Sequence, residues 1–322
     1  MSIVNRVSVR LSAVLGAALA AVLIARAQPA PSGVAPVMSL NHLHIHVSDS
    51  RKSYEFYSKL LGGHIIDTSR GGWTFMIGDT GRWINFSGVP PQMPNIKPGT
   101  LNHIGIGVNL PDKPEPLRKA LTEAFPSSNV HSPGKPGDLT YDRSIYIDDP
   151  DGLSIQLVSK TDDGHLPRPD PTPAVPRTPA TGVVRVRSIN HLQFPIGDAA
   201  KTQAFYAKLL GATLRDKSAN GRSITLTLPG ASSWLSFSTT EDKAKAGKLD
   251  HIGIGIDWPN DPEALRTALR NAFPGVKVTS PGSPTSPTYN RSIYIDDPDG
   301  FHLQLISSTD DGNLPGGVLS KK

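Results

Sequence analysis

Residues 40–47 alternate strictly, with Leu43, Ile45 and Val47 on one side and His42, His44 and His46 on the other. A period of two predicts a strand whose two faces differ, here with imidazoles lining one of them. The period then changes. Tyr54, Phe56, Tyr57, Leu60 and Leu61 recur at helical spacing, Ser48-Asp49-Ser50 offers a cap before them, and Gly62-Gly63 closes the helix without backbone strain. Short alternating stretches at 64–68, 73–77 and 82–87 predict three further strands. The order then restarts, with a strand at 103–108, a helix at 115–125 and strands near 129–131, 144–147 and 153–158. This is βαβββ twice over.

The whole pattern is itself repeated. Leu40-Asn41-His42-Leu43 returns as Ile189-Asn190-His191-Leu192, and Phe56-Tyr57-Ser58-Lys59-Leu60-Leu61-Gly62 as Phe205-Tyr206-Ala207-Lys208-Leu209-Leu210-Gly211. Leu101-Asn102-His103-Ile104-Gly105-Ile106-Gly107 becomes Leu249-Asp250-His251-Ile252-Gly253-Ile254-Gly255, and the ten residues from Arg143 to Gly152 recur letter for letter from Arg291 to Gly300. Four blocks in register mean a duplication. The expected fold class is α+β, a tandem duplication of paired βαβββ units forming two curved β-sheet cups.

The ends and the middle read differently. Arg6 and Arg10 precede a largely apolar run from Leu11 to Ala25, and Ala25-Arg26-Ala27 offers a small-x-small cleavage site, the order of a secretory signal. The run is short for a membrane span. Pro167 to Pro179 holds six prolines and reads as a semi-rigid linker. The expected division is a signal peptide at 1–27, a disordered segment at 28–38, a first module at 39–166, a linker at 167–186, a second module at 187–315 and a tail at 316–322. This implies a periplasmic or secreted protein with no membrane span once the leader is removed.

Removing the leader takes three arginines from the 33 Lys+Arg and none of the 28 Asp+Glu, leaving a net charge of +2. So small an excess, without an aromatic-basic patch, gives no reason to expect a nucleic-acid partner. The absence of cysteine excludes thiol catalysis, disulfides and thiolate metal sites. Any metal must therefore take nitrogen and oxygen ligands.

His42 and His103 hold equivalent places on the first strands of their units, as do His191 and His251 in the second copy. Pseudo-two-fold pairing of the units would bring each pair together from opposite sides of a curved sheet. Gly105 and Gly107, on the face of His103, would leave space beside it. Arg143 and Arg291 are candidates to clamp an anionic substrate. Asp149-Pro150-Asp151-Gly152 reads as a tight turn.

These residues resemble the vicinal oxygen chelate superfamily, which includes glyoxalase I, fosfomycin- and bleomycin-resistance proteins and extradiol dioxygenases. The resemblance is carried by the run from Leu40 to Gly62 and by Ile145 to Gln156, each with its repeat, and covers residues 39–160 and 187–308. It implies metal ligands at His42 and His103, and at His191 and His251. The usual third ligand, a Glu, is replaced by Gln156 and Gln304, and the glyoxalase-type fourth ligand falls on Asn85 and Ser236. An amide oxygen can coordinate but brings no charge, which weakens retention of the ion and leaves it a stronger electrophile. The extradiol tyrosine is matched by Tyr146 and Tyr294, while the histidine those enzymes carry shortly before the second metal histidine has no counterpart. The copies also differ: His44 and His46 of the first correspond to Gln193 and Pro195, and the second adds His302 two residues before Gln304.

The expected function is a metal-dependent dioxygenase, isomerase or lyase acting on a small molecule with vicinal oxygens. Fe(II), Mn(II), Zn(II) or Ni(II) would suit the ligands. Tyr146, Tyr294 and His44 would handle protons, and Arg143, Arg291, Asn85, Ser236, Gln193 and His302 would face the substrate. The alternative is a metal-free protein that sequesters a small molecule, as bleomycin-resistance proteins do. A homodimer is compatible with either.

Overall fold

The computed structural model describes residues 33–68, 72–92, 95–138, 140–162, 181–286 and 288–310. The expected signal peptide, the run from Pro167 to Pro179 and the tail lie outside them. The first module runs β1 (Val37–Val47), α1 (Ser50–Leu61), β2 (Gly63–Asp67), β3 (Gly72–Ile77), β4 (Trp83–Gly88), β5 (Thr100–Val108), α2 (Glu115–Ala124), β6 (Val130–His131), β7 (Ser144–Asp148) and β8 (Ser154–Ser159). The second repeats it: β9 (Val186–Ile196), α3 (Ala199–Leu210), β10 (Thr213–Lys217), β11 (Ser223–Thr227), β12 (Trp234–Thr239), β13 (His251–Ile256), α4 (Pro262–Ala272), β14 (Val278–Thr279), β15 (Ser292–Asp296) and β16 (His302–Ser307). The two βαβββ units of each module share one eight-stranded sheet, ordered β2-β3-β4-β1-β5-β8-β7-β6 and β10-β11-β12-β9-β13-β16-β15-β14. The chain is thus an α+β tandem duplication.

Local chemistry sets the helix ends. Asp49 accepts from the backbone N–H groups of Arg51 and Lys52, and Asp198 from those of Ala200 and Lys201, which satisfies donors that the first turn leaves open. Gly62 and Gly211 close the helices with φ of 65° and 71°. The helices pack on the odd-numbered face of β1: Leu43 and Ile45 are fully buried, and Tyr57 meets Phe86 with ring centroids 4.8 Å apart. The histidines of β1 face the other way. No helix among the described residues is long and apolar enough to cross a membrane.

Two expected boundaries move. β1 begins at Val37, and Val34 and Ala35 donate to the carbonyls of Lys208 and Leu209, so residues 33–38 of the segment expected to be disordered belong to the fold. At the other boundary, Val183 and Val184 donate to Lys59 and Leu60, so residues 183–186 of the expected linker are docked as well. Each module's lead-in thus closes the helix end of the other. Gly33 and Gly182 make this approach possible, since a Cβ on either would lie 2.3 Å from the backbone of Gly211 or Gly62.

The same reciprocity governs the contact between modules. Tyr57 donates to Asp297 at 3.2 Å, and Tyr206 to Asp149 at 3.1 Å. The Lys59 ammonium reaches the carbonyl of Ala272 and lies over Phe273, while Lys208 does so with Ala124 and Phe125. A cation at a helix C-terminus meets the negative end of the dipole. Asp149-Pro150-Asp151-Gly152 is the turn expected, and it also joins the modules. Asp149 holds its own turn through the N–H groups of Asp151 and Leu153 while receiving the Tyr206 hydroxyl.

Candidate functional site

One rung of the sheet builds most of the first cup. His42 stands opposite Trp83 on β4 and Gly105 on β5, Gly105 opposite Gln156 on β8, Gln156 opposite Tyr146 on β7, and Tyr146 opposite His131 on β6. The next rung sets His44 opposite Asn85 and His103. His42 and His103 are therefore diagonal neighbours on adjacent central strands. They meet beside each other in the middle of the sheet, where convergence from opposite sides of the cup had been expected. The second cup repeats the rungs with Trp234, His191, Gly253, Gln304 and Tyr294, and with Ser236, Gln193 and His251.

The glycines have a use different from the one expected. They leave no hollow, because the space a Cβ would take is filled. At Gly105 a Cβ would lie 2.1 Å from the His42 ring, and at Gly253 it would lie 2.2 Å from the His191 ring. At Gly107 and Gly255 the space is taken by the hydroxyls of Ser39 and Ser188. The missing side chain lets His42 lie down across β5 towards His103. Trp83 covers the other face of that ring, with centroids 3.7 Å apart and planes 8° from parallel.

The result is a pair of buried imidazoles with facing nitrogens. Nε2 of His42 lies 3.2 Å from Nε2 of His103, and Nε2 of His191 lies 3.1 Å from that of His251. The outer nitrogens decide where the protons are. Nδ1 of His42 donates to Oδ1 of Asn41, whose amide nitrogen in turn donates to the carbonyl of Asp162. Nδ1 of His103 donates to Oδ1 of Asn102, which gives its own amide hydrogen to His46. In the second cup Asn190 holds His191 in the same way, and the partner of His251 is the carboxylate of Asp250, which can only accept. With protons on Nδ1, each pair presents two lone pairs to one another.

A proton shared between them is disfavoured. Burial, and then the neighbouring His44, lower the pKa of His42 to about 3; burial, and then His251, lower that of His191 to about 3. A cation fits better. Two nitrogens 3.2 Å apart are spaced as two ligands each about 2.1 Å from one ion, and ligating histidines usually donate their second ring N–H to an outer partner. Gln156 lies close enough to both His42 and His103 to favour their protonated forms, and Gln304 does the same for His191. Oε1 of Gln304 is nevertheless buried without a hydrogen-bond partner. Among the described residues no three His, Cys, Asp or Glu side chains are placed to hold a metal. Gln156 and Gln304, beside the paired imidazoles, are the amides that could serve as a third protein ligand.

Cavities open over both pairs. The first, of about 300 Å³, is lined by His42, His44, Asn85, His103, Arg143, Tyr146 and Gln156 together with Asp67, Thr74, Trp83, Pro133 and Asp162. The second, of about 270 Å³, is lined by His191, Gln193, Ser236, His251, Arg291, Tyr294 and Gln304 together with Trp234 and Asp310. Every candidate but one thus reaches its cup. The exception is His302. It shares the face of Gln304 but sits at the exposed end of β16, held to Asp296 at 2.6 Å, and does not line the cavity. Arg143 and Arg291 engage Asp162 and Asp310, at 3.4 and 2.9 Å. Sequence reasoning missed Trp83, Asp67 and Asp162. Trp83 precedes Asn85 by two on the same strand, so period-two spacing was a usable signal for it.

The family model for the glyoxalase/bleomycin resistance protein/dioxygenase superfamily matches residues 39–157 and again 188–305. The chain belongs to this superfamily. Metallothiol transferase FosB of Staphylococcus epidermidis is 28% identical over 125 residues, which is 39% of this chain and 84% of the relative. Lactoylglutathione lyase of Escherichia coli is 28% identical over 131 residues, 38% of this chain and 93% of the relative. Among solved structures, the Mn(II)-bound glyoxalase from Novosphingobium aromaticivorans superposes with a TM-score of 0.59 at 14% identity, covering 86% of this chain and 84% of that one. Homoprotocatechuate 2,3-dioxygenase from Arthrobacter globiformis gives 0.60 at 16%, covering 87% and 82%. At such identities these structures share the fold, and a shared fold leaves the reaction open.

Proposed function

We propose that the protein is an exported, metal-dependent enzyme of this superfamily, acting on a small molecule with two neighbouring oxygens by dioxygenase, isomerase or lyase chemistry. One observation carries the reading: two buried Nε2 lone pairs face each other in each cup, with both outer ring protons already committed. His42, His103 and Gln156, and His191, His251 and Gln304, would hold a divalent ion. When bound, such an ion supplies Lewis-acid stabilisation of charge developing on the substrate oxygens. The proposed relatives in function are the Mn(II)-bound glyoxalase and the dioxygenases that share the fold. Export rests on the basic, apolar and small-x-small order of the first 27 residues.

The chain's own residues divide the remaining work. Burial pushes the Tyr146 phenol up, and pushes that of Tyr294 to about 12, so both stay protonated near neutral pH and donate hydrogen bonds to a substrate oxygen. Burial lowers His44 to about 4 and keeps it neutral, so its lone pair can accept a hydrogen bond from a hydroxyl. Its Nε2 lies 2.6 Å from the Ser87 hydroxyl, which orients the ring. The cups are deep enough to bury a small molecule against the Trp83 or Trp234 wall.

The test is metal content. The chain from Val34 onward is purified without chelator and analysed for metal beside His42→Ala/His191→Ala and Gln156→Glu/Gln304→Glu variants. The reading expects substoichiometric metal in the parent, none in the histidine variant and more in the glutamate variant. The neutral amides at both third-ligand positions favour a second reading, metal-free sequestration of a small molecule. Negligible metal in all three proteins would overturn the metal-dependent reading and favour sequestration.

A further inference from the structure

The two cups are not electrically equivalent, and the difference is one atom deep behind a ligand nitrogen. In the first cup Nδ1 of His103 donates to the neutral amide of Asn102, at 2.6 Å. In the second, Nδ1 of His251 donates to the carboxylate of Asp250, at 2.7 Å. The other imidazole of each pair has the same partner in both copies, Asn41 or Asn190. The third side chain is also the same, Gln156 or Gln304. The Asn102–Asp250 exchange is therefore the one difference in what the candidate ligands hydrogen-bond through their outer nitrogens. Asp67 lines the first cup, but it forms no metal-holding group with the histidines there.

We propose that Asp250 makes the second cup the tighter cation site, and that the first cup binds the same ion more weakly and leaves its charge less neutralised. This rests on the metal-dependent reading above. A carboxylate behind an imidazole fixes its tautomer and raises the basicity of the nitrogen that faces the ion, and an outer partner of this kind is worth about 10–100-fold in affinity. An amide orients the ring but gives no charge. The cups would then have separate duties. The second retains an ion, while the first, where His44 stands beside His103 with ring centroids 4.9 Å apart, presents the sharper electrophile next to a neutral base. Asp250 acts through His251 and is a positioning residue.

The experiment uses the chain from Val34 onward and Mn(II), with the free ion counted by electron paramagnetic resonance. His42→Ala isolates the second cup and His191→Ala isolates the first. The second cup is expected to show a dissociation constant at least about 10-fold below that of the first. Asp250→Asn in the His42→Ala background should weaken it by a similar factor. Asn102→Asp in the His191→Ala background should tighten the first cup, a gain that an unfolded variant cannot imitate. Equal affinities in the two cups, with neither exchange moving them, would overturn the assignment while leaving metal dependence intact. No Mn(II) bound by either cup would overturn this assignment, and the metal content of the purified chain decides the metal-dependent reading separately.

Discussion

The close approach of Gly105 to His42 can be tested without touching a ligand. Gly105→Ala adds one methyl group at a strand position whose backbone any residue adopts, so the change is steric. That methyl would start 2.1 Å from both Nδ1 and Cε1 of His42, whereas ordinary contact begins near 3.4 Å. The ring must therefore give by about 1.3 Å, and Trp83, stacked 3.7 Å away on its other face, stands in the path. Metal sites tolerate about 0.2 Å in ligand distance, so a displacement of this size removes His42 as a ligand. The fold should survive, since overpacking one methyl in a core costs about 1–3 kcal/mol. Mn(II) titration should find one fewer site in Gly105→Ala than in the parent, one fewer in Gly253→Ala, and no change in Gly88→Ala, where an added Cβ meets nothing within 4 Å. Parental stoichiometry and affinity in Gly105→Ala would show that the ring does not need the space it occupies, and the account of the site would fail with it.

The contact between modules yields two further expectations. Tyr206→Phe leaves the buried Asp149 carboxylate without its hydroxyl donor and should cost about 1–3 kcal/mol in urea denaturation at pH 7, with Tyr57→Phe matching it through Asp297. Burial pushes Asp149 and Asp297 up from 3.8 to about 6, so the folded chain holds protons there that the unfolded chain releases. These groups therefore penalise folding fully above pH 6, and the penalty fades as pH falls towards 3.8. Asp149→Asn/Asp297→Asn should thus gain stability over the parent at pH 7 and lose about 2 kcal/mol per site of that advantage by pH 4.5. A difference that does not vary with pH would refute the buried-carboxyl account.

Periodicity was enough to place the strands, both helices of each module and the two-fold repetition, because each is a local property of side-chain spacing. It also put His42 and His44 on one face of β1, and both line the first cup, whereas Gln156 and Tyr146 were singled out by the family resemblance. Which strands would be neighbours was not legible. The glycines were expected to leave room because their partner across β1 was unknown, and only the His42–Gly105 register shows that the room is used. Tyr57 and Asp297 are 240 residues apart in the chain, so their contact had no local signature, and Tyr57 read as ordinary helix core. His302 had the right parity and shares a rung with His251, but its ring is held by Asp296 on β15 and stays exposed instead of entering the cup. Parity fixes a face, and which neighbour holds the side chain on that face comes from the tertiary fold.

The duplication also bears on why the cups differ while the central pairs of the frame are kept. The modules meet through a self-complementary contact in which the same residues serve twice, Tyr57 on Asp297 and Tyr206 on Asp149, with Lys59 and Lys208 capping opposite helices. A change in either copy there breaks a contact that the other copy needs. The helices carrying these groups pack on the face of Leu43 and Ile45, while His42, His44 and Gln156 line the opposite face. Substitutions in a cup therefore pass no strain across the module contact. His44 against Gln193 and Asn85 against Ser236 line the cups, and Asn102 against Asp250 holds a cup histidine from behind, whereas the Phe-Tyr pairs, the lysines and the Asp-Asp-Pro-Asp-Gly turns are identical in the two copies. Such a frame holds two sites rigidly while letting each acquire its own electrostatics, the arrangement that one ion-retaining cup and one reactive cup would require.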